Sequence, residues 1–126
     1  LKANGGTTSS NTDGTITSTV QANQDSGFSI VKYTGTGSNA TIGHGLTAAP
    51  EMMIIKNFEQ TDPWVVYHSA VGTGQFLNLN TTYAASGSGD IFGTPNDTGV
   101  APTSTVFTVG SIVWSLYQSE IITPPE

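Results

Sequence analysis

The chain has 126 residues, enough for one domain, and only 10% of them are charged; nine carboxylates stand against three lysines and no arginine, for a net charge of −6. Nucleic-acid binding draws on Lys and Arg to displace counterions from phosphates, so Lys2, Lys32 and Lys56 alone exclude it, and they equally disfavour an anionic membrane surface. With no cysteine there is neither a disulfide framework nor a thiolate metal site, and no apolar run approaches the ~18 residues needed to insert in a bilayer.

Residues 1–26 form a Thr/Ser/Asn/Gly/Asp tract whose only sizeable apolar residues beyond Leu1 are Ile16 and Val20. Such a composition reads as a flexible linker, or as an extended arm that orders by pairing along a neighbouring subunit. Within it, Thr15–Val20 offers one short strand after an Asp13-Gly14 turn.

From Gly27 the pattern changes to apolar–polar alternation rich in β-branched and aromatic residues, the mark of strands packed on one face. Gly27–Thr34 is the first predicted strand, followed by a loop over Gly35–Asn39. Ala40–Gly43 is a short second strand leading into His44-Gly45. Glu51–Asn57 is the strand most strongly predicted to be buried. Pro63 closes a turn before Trp64–Ser69, and a Gly72-Thr73-Gly74 turn leads to Gln75–Asn80.

Residues 84–104 carry turn formers throughout and read as a long loop, with Ile91-Phe92 as its one candidate strand. Thr103–Val109 and Ser111–Tyr117 are the last strands, joined at Gly110. The expected fold is all-β: an antiparallel, jelly-roll-like sandwich of about seven or eight short strands over 27–119. It is flanked by the arm or linker of 1–26 and a Pro-containing tail of 120–126.

Reactive constellations are scarce. His44 and His68 alone titrate near neutrality, and neither has a second ligand-type residue at metal-binding spacing. His44, between two glycines at a strand end, reads as a hydrogen-bonded turn residue. His68 shares a sheet face with Val66 and Trp64. The carboxylates sit mostly in turns, where Asp caps the backbone, and Asp90 and Asp97 do not follow the EF-hand spacing. No Gly-x-Ser-x-Gly elbow or phosphate cradle occurs. The residues therefore point to no catalytic group, no cofactor and no metal.

Trp64, Tyr67, Trp114 and Tyr117 are the candidates for more than packing. Aromatic faces stack on the apolar faces of sugars, so these four are the candidate glycan or interface contacts. The competing reading places Trp64 and Trp114 in the core or at a subunit interface.

The ordered motifs also resemble a family. Asn11-Thr12-Asp13-Gly14-Thr15-Ile16, Gly27-Phe28-Ser29-Ile30-Val31-Lys32-Tyr33, Ile42-Gly43-His44-Gly45-Leu46, Ala49-Pro50-Glu51-Met52, Trp64-Val65-Val66-Tyr67-His68 and Ala101-Pro102 through Gly110 are similar, in this order, to a β-rich domain of unknown function. That domain is found in structural and tail-fibre-like proteins of tailed, especially aquatic, bacteriophages. The resemblance covers roughly residues 8 to 117. In the family a polar loop follows Gly110, whereas here Ser111–Tyr117 follows at once. No catalytic residues carry over.

What the resemblance implies is a setting. The expectation is a non-enzymatic virion module of a tail fibre or surface fibre, located on the virion surface or outside the cell. Its expected partners are copies of itself (a homotrimer) and other virion proteins, with host surface carbohydrate as a further contact. The alternatives are a carbohydrate-binding domain for host adsorption and a capsid decoration protein.

Overall fold

The computed structural model describes residues 6–57, 59, 61–82, 84, 86–87, 91–93, 99–110 and 118–120. Among them lie ten strands and no helix: β1 (Ser9–Asn11), β2 (Ser18–Asn23), β3 (Phe28–Thr34), β4 (Ala40–Gly43), β5 (Met52–Asn57), β6 (Val65–His68), β7 (Gln75–Asn78), β8 (Ser86–Gly87), β9 (Val106–Val109) and β10 (Gln118–Glu120). They form an antiparallel sandwich with unequal layers. Eight strands lie in the order β1-β2-β3-β10-β5-β6-β7-β8, and the other layer is the pair β4-β9.

The period-two alternation explains which side of each strand is buried. In β3, Ser29, Val31 and Tyr33 are buried and face inward, while Phe28, Ile30 and Lys32 take the other face. In β5, Met53, Ile55 and Asn57 are buried between less buried neighbours. Val65 and Tyr67 of β6 join the same core.

Ile42 of β4 and Phe107 and Val109 of β9 close the core from the second layer. Phe107 meets Tyr33 edge to face at 5.9 Å, and Phe92 meets Tyr67 in the same way at 5.6 Å. One aromatic contact thus sits over each wing of the large sheet: one over β1–β3, the other over β5–β7.

The stretch predicted to be a linker or intersubunit arm is, over Ser9–Asn23, part of the sheet of its own chain. Val20 is buried opposite Val31 of β3, and Ser9, Ser10 and Asn11 pair with Val20, Thr19 and Ser18. The segment between β1 and β2 docks on the free edge of β4. Thr15 and Thr41 exchange backbone-to-hydroxyl bonds of 2.9 and 3.0 Å, Ile16 donates to the Thr41 carbonyl at 3.1 Å, and Ile16 bridges Ile42 in parallel. Main-chain and hydroxyl bonds therefore order a stretch that has little apolar surface to bury.

The β2–β3 connection turns at Gly27, whose φ of 66° lies in the left-handed region that a glycine reaches without strain. Asn23 helps close it, accepting from Ser26 N–H through Oδ1 at 3.1 Å. Ile91 and Phe92 form a bend instead of the predicted strand. Their carbonyls accept from Gly110 and Val100, and the bend drops Phe92 into the core. The predicted strand Ser111–Tyr117 lies outside the described residues.

Candidate contact surface

The buried polar groups are used to join the two layers. At the end of β4 the chain leaves its strand and exposes carbonyls to the interior, where each finds a donor from the large sheet. Ser18 Oγ of β2 donates to Gly43 O at 2.8 Å, and Ser29 Oγ of β3 donates to His44 O at 2.5 Å. Gln24 Nε2 donates to Gly45 O at 3.1 Å. A buried carbonyl without a partner costs about 1–3 kcal/mol, so the two serines fix where β4 sits on the β1–β3 wing, with Gln24 adding an exposed bond.

His44, fully buried, completes this junction. Its Nδ1 accepts from Leu46 N–H at 3.1 Å, so the ring proton is on Nε2, which donates to Thr103 O at 2.9 Å. Its backbone N–H donates to Thr105 O at 3.2 Å. Burial lowers its pKa; the Thr103 bond and the Asp13 charge oppose that shift without overcoming it. Both ring nitrogens are engaged by main-chain groups, which is the hydrogen-bonded turn role the sequence suggested.

The β5–β7 wing has one comparable polar centre. Buried Asn57 donates through Nδ2 to Asp62 Oδ2 at 2.9 Å and accepts Glu59 N–H at 3.0 Å, shaping the connection to β6. His68 Nδ1 accepts from Ala70 N–H at 3.1 Å and its carbonyl accepts from Val71 and Gly72. His68, too, caps a turn. Among the described residues no group of three or more His, Asp or Glu is placed to hold a metal ion.

The outward face of the large sheet differs between its wings. On β2 and β3 it presents Thr19, Gln21, Asn23, Phe28, Ile30 and Lys32. A cleft of about 570 Å³ at that end runs along Gln21, Asn23, Asp25 and Phe28. A polar cleft of about 350 Å³ lies on the inward side of β2, between Ser9, Asn11, Asp13, Val20, Gln24 and Leu46. On the β5–β7 wing the residues alternating with the core positions are half-buried Met52 and Ile54 of β5, buried Val66 of β6 and half-buried Leu77 of β7. Ile54, Val66 and Leu77 are register partners in one row.

Trp64 and Leu79 extend this apolar face by one step, tied by a 2.9 Å bond from Leu79 N–H to Trp64 O. They are 39% and 56% exposed. An open cleft of about 380 Å³ runs over the face between Met52, Val66, His68, Val71, Leu77 and Leu79.

Of the four aromatic candidates, Trp64 stands on this face, at the surface. Tyr67 is 5% exposed on the opposite side of β6, packed against Phe92, and its ring has no face to offer a sugar. Burial, followed by the charge of Glu51, pushes its hydroxyl pKa up. Trp114 and Tyr117 lie outside the described residues, as do Asp90 and Asp97. The residues that sequence reasoning missed are the aliphatic ones. Met52 and Ile54 belong to a strand whose opposite positions, Met53 and Ile55, are also apolar, and this two-sided pattern was the available signal; Leu77 and Leu79 alternate with Phe76 and Asn78 and gave a weaker one.

One family model, a domain of unknown function (DUF7483), matches residues 2–123. The chain belongs to the DUF7483 family. The match takes in the whole sandwich, from the segment before β1 through β10, so the β4 junction and the outward apolar face both lie within the DUF7483 domain. No curated protein and no solved structure matches this DUF7483 chain.

Proposed function

We propose that this DUF7483 domain is a non-enzymatic structural module of a phage virion appendage, a tail fibre or surface fibre, carried on the virion surface and touching the host. It works beside copies of itself and other virion proteins. The ordered motifs similar to those of tail-fibre-like proteins support the setting. One observation carries the role. The buried polar groups Ser18, Ser29, His44 and Asn57 are bonded within the fold, while two large apolar side chains, Trp64 and Leu79, are exposed on one side of the β5–β7 wing. A catalytic histidine needs a ring nitrogen free to exchange a proton with substrate, and both nitrogens of His44 are held by the backbone.

Gold-labelled antibodies against the chain, applied to intact particles of the phage that encodes it, test this reading. Label along a tail or surface fibre is the expected image. Particles that carry no label, although the chain is present in infected cells, overturn the proposal, and label spread over the shell points to capsid decoration.

A second reading, adsorption to host glycans, is favoured by the exposed indole of Trp64. Glycan-array binding that disappears in Trp64→Ala supports it; an array without signal removes it. Host polysaccharide incubated with the chain is expected to keep its length.

A further inference from the structure

We propose that His44 is the latch of an acid-sensitive junction: a second ring proton releases the turn after β4 from the β2–β3 wing while the rest of the sandwich stays folded. The latch ties three parts of the chain together. Within its buried ring, Nδ1 accepts from Leu46 N–H at 3.1 Å and Nε2 donates to Thr103 O at 2.9 Å. The His44 carbonyl accepts from Ser29 Oγ of β3, and its N–H donates to Thr105 O ahead of β9.

An imidazolium has two donors and no acceptor. Once Nδ1 carries a proton it meets the Leu46 N–H donor against donor, and turning the ring over only presents another N–H. The charged ring therefore cannot keep this seat. Asp13, in the segment between β1 and β2, is the charge that favours the protonated ring, and it does not outweigh burial. Around it, residues 14–24 and 99–110 carry no ionisable side chain, and residues 40–49 carry His44 alone. From β3 come Tyr33, inward against Phe107, and Lys32 on the outward face; Asp25 stands in the exposed β2–β3 turn. Of these groups, His44 is the one whose type changes charge between about pH 5 and 8.

What moves is limited by what else is bonded. β4 keeps its register with β9 from Ala40↔Val109 to Gly43↔Val106, and the Thr15–Thr41 exchange holds its other edge. Tyr33 stays against Phe107, and Tyr67 against Phe92 on the far wing. The bonds that break belong to 44–46 and 103–105. Gly45 lies close against Val20 and Ala22, and with Leu46 it walls the polar cleft on the inward side of β2. Releasing the turn widens that cleft and uncovers Val20, so acid gives a polar edge an apolar floor.

Amide hydrogen exchange read by NMR from about pH 7.5 to 5, corrected for the intrinsic rate at each pH, tests the latch. The His44 and Leu46 amides are expected to exchange roughly tenfold or more faster than those of β5 and β6, as a local opening requires. Below about pH 6.5 their protection should fall about tenfold per pH unit, one proton being bound on opening, with β5 and β6 signals at their native positions. His44→Gln keeps an acceptor and a donor at the side-chain tip and takes no charge, so its Leu46 protection should not change with pH; His68 is still present in it. Equal exchange at the junction and in β5–β6 means that the whole chain opens at once, which overturns the proposal. So does a Leu46 protection indifferent to pH, or a decline that His44→Gln shares. If His44→Gln fails to fold, the native comparison of the junction with β5–β6 still decides. Particle labelling reads neither quantity, so a failure here leaves the virion reading standing.

Discussion

The two wings of the large sheet share one hydrogen-bonded framework and seat their neighbours differently. The β1–β3 wing buries Val20, Val31 and Tyr33 and also holds the second layer through polar contacts, Ser18, Ser29 and Gln24 reaching the carbonyls of Gly43, His44 and Gly45. Its outward face mixes half-buried Phe28 and Ile30 with Thr19, Gln21, Asn23 and Lys32. The β5–β7 wing holds its core through Met53, Ile55, Val65 and Tyr67 and carries apolar residues on both faces. On its outward side Val66 is buried, and the exposed apolar side chains are Trp64 and Leu79.

The largest expected effects test whether each wing depends on its own aromatic plug. Phe107→Ala, over Tyr33, and Phe92→Ala, over Tyr67, each remove a fully buried ring and are expected to cost about 3–5 kcal/mol in urea unfolding. Equal sensitivity of the two wings would sharpen the picture of one continuous core. A tolerated Phe92→Ala would detach the 91–93 bend from it.

Next comes the polar junction. His44→Leu preserves bulk but strands Leu46 N–H and Thr103 O, at about 1–3 kcal/mol for each group left without a partner. Ser29→Ala removes the donor to His44 O and is expected to cost about 1 kcal/mol, with Ser18→Ala similar. If both serine changes are silent, main-chain packing alone seats β4 and the contrast between the wings fails.

A smaller effect is set by pH. The folded pKa of His44 lies below its ordinary 6.5, so as pH falls past 6.5 the unfolded chain takes up the proton first. The stability contributed by neutral His44 is complete above that value and is lost as pH drops toward the folded pKa. Unfolding midpoints measured from neutral to mildly acidic pH should decline in the native chain. The decline should flatten in His44→Leu. An identical slope in both would assign the acid sensitivity to other groups.

The smallest effect on stability is expected from Leu79→Asp, within about 0.5 kcal/mol of the native chain, because the side chain is mostly exposed. Calorimetry of the monomer checks it.

The legibility of this molecule in its sequence followed the same division. Strands β3 to β7 announce themselves through alternation and turn residues, and the structure places each within a residue or two of the expected bounds. Ser9–Asn11 did not stand out, and of Ser18–Asn23 only the start fell in the short strand expected over Thr15–Val20. Their order comes from β1 pairing with β2, β2 pairing with β3 and the Thr15–Thr41 exchange, the last between residues 26 positions apart that local composition does not encode. The role of His44 was half visible: its glycine neighbours marked a turn, but the acceptors Thr103 and Thr105 come from β9's approach. For the contact face, aromatic residues drew attention to Tyr67, whose parity with Val65 places it inward. Parity already placed Trp64, Val66 and His68 on one face, and only the strand register adds Leu77 to it.

Hydroxyl-radical footprinting of the native chain examines the contrast between the wings most directly. Leu79 should be oxidised faster than Ile30, which is half-buried on the same side of the same sheet. Equal rates would contradict the claim that the exposed apolar side chains stand on the β5–β7 wing.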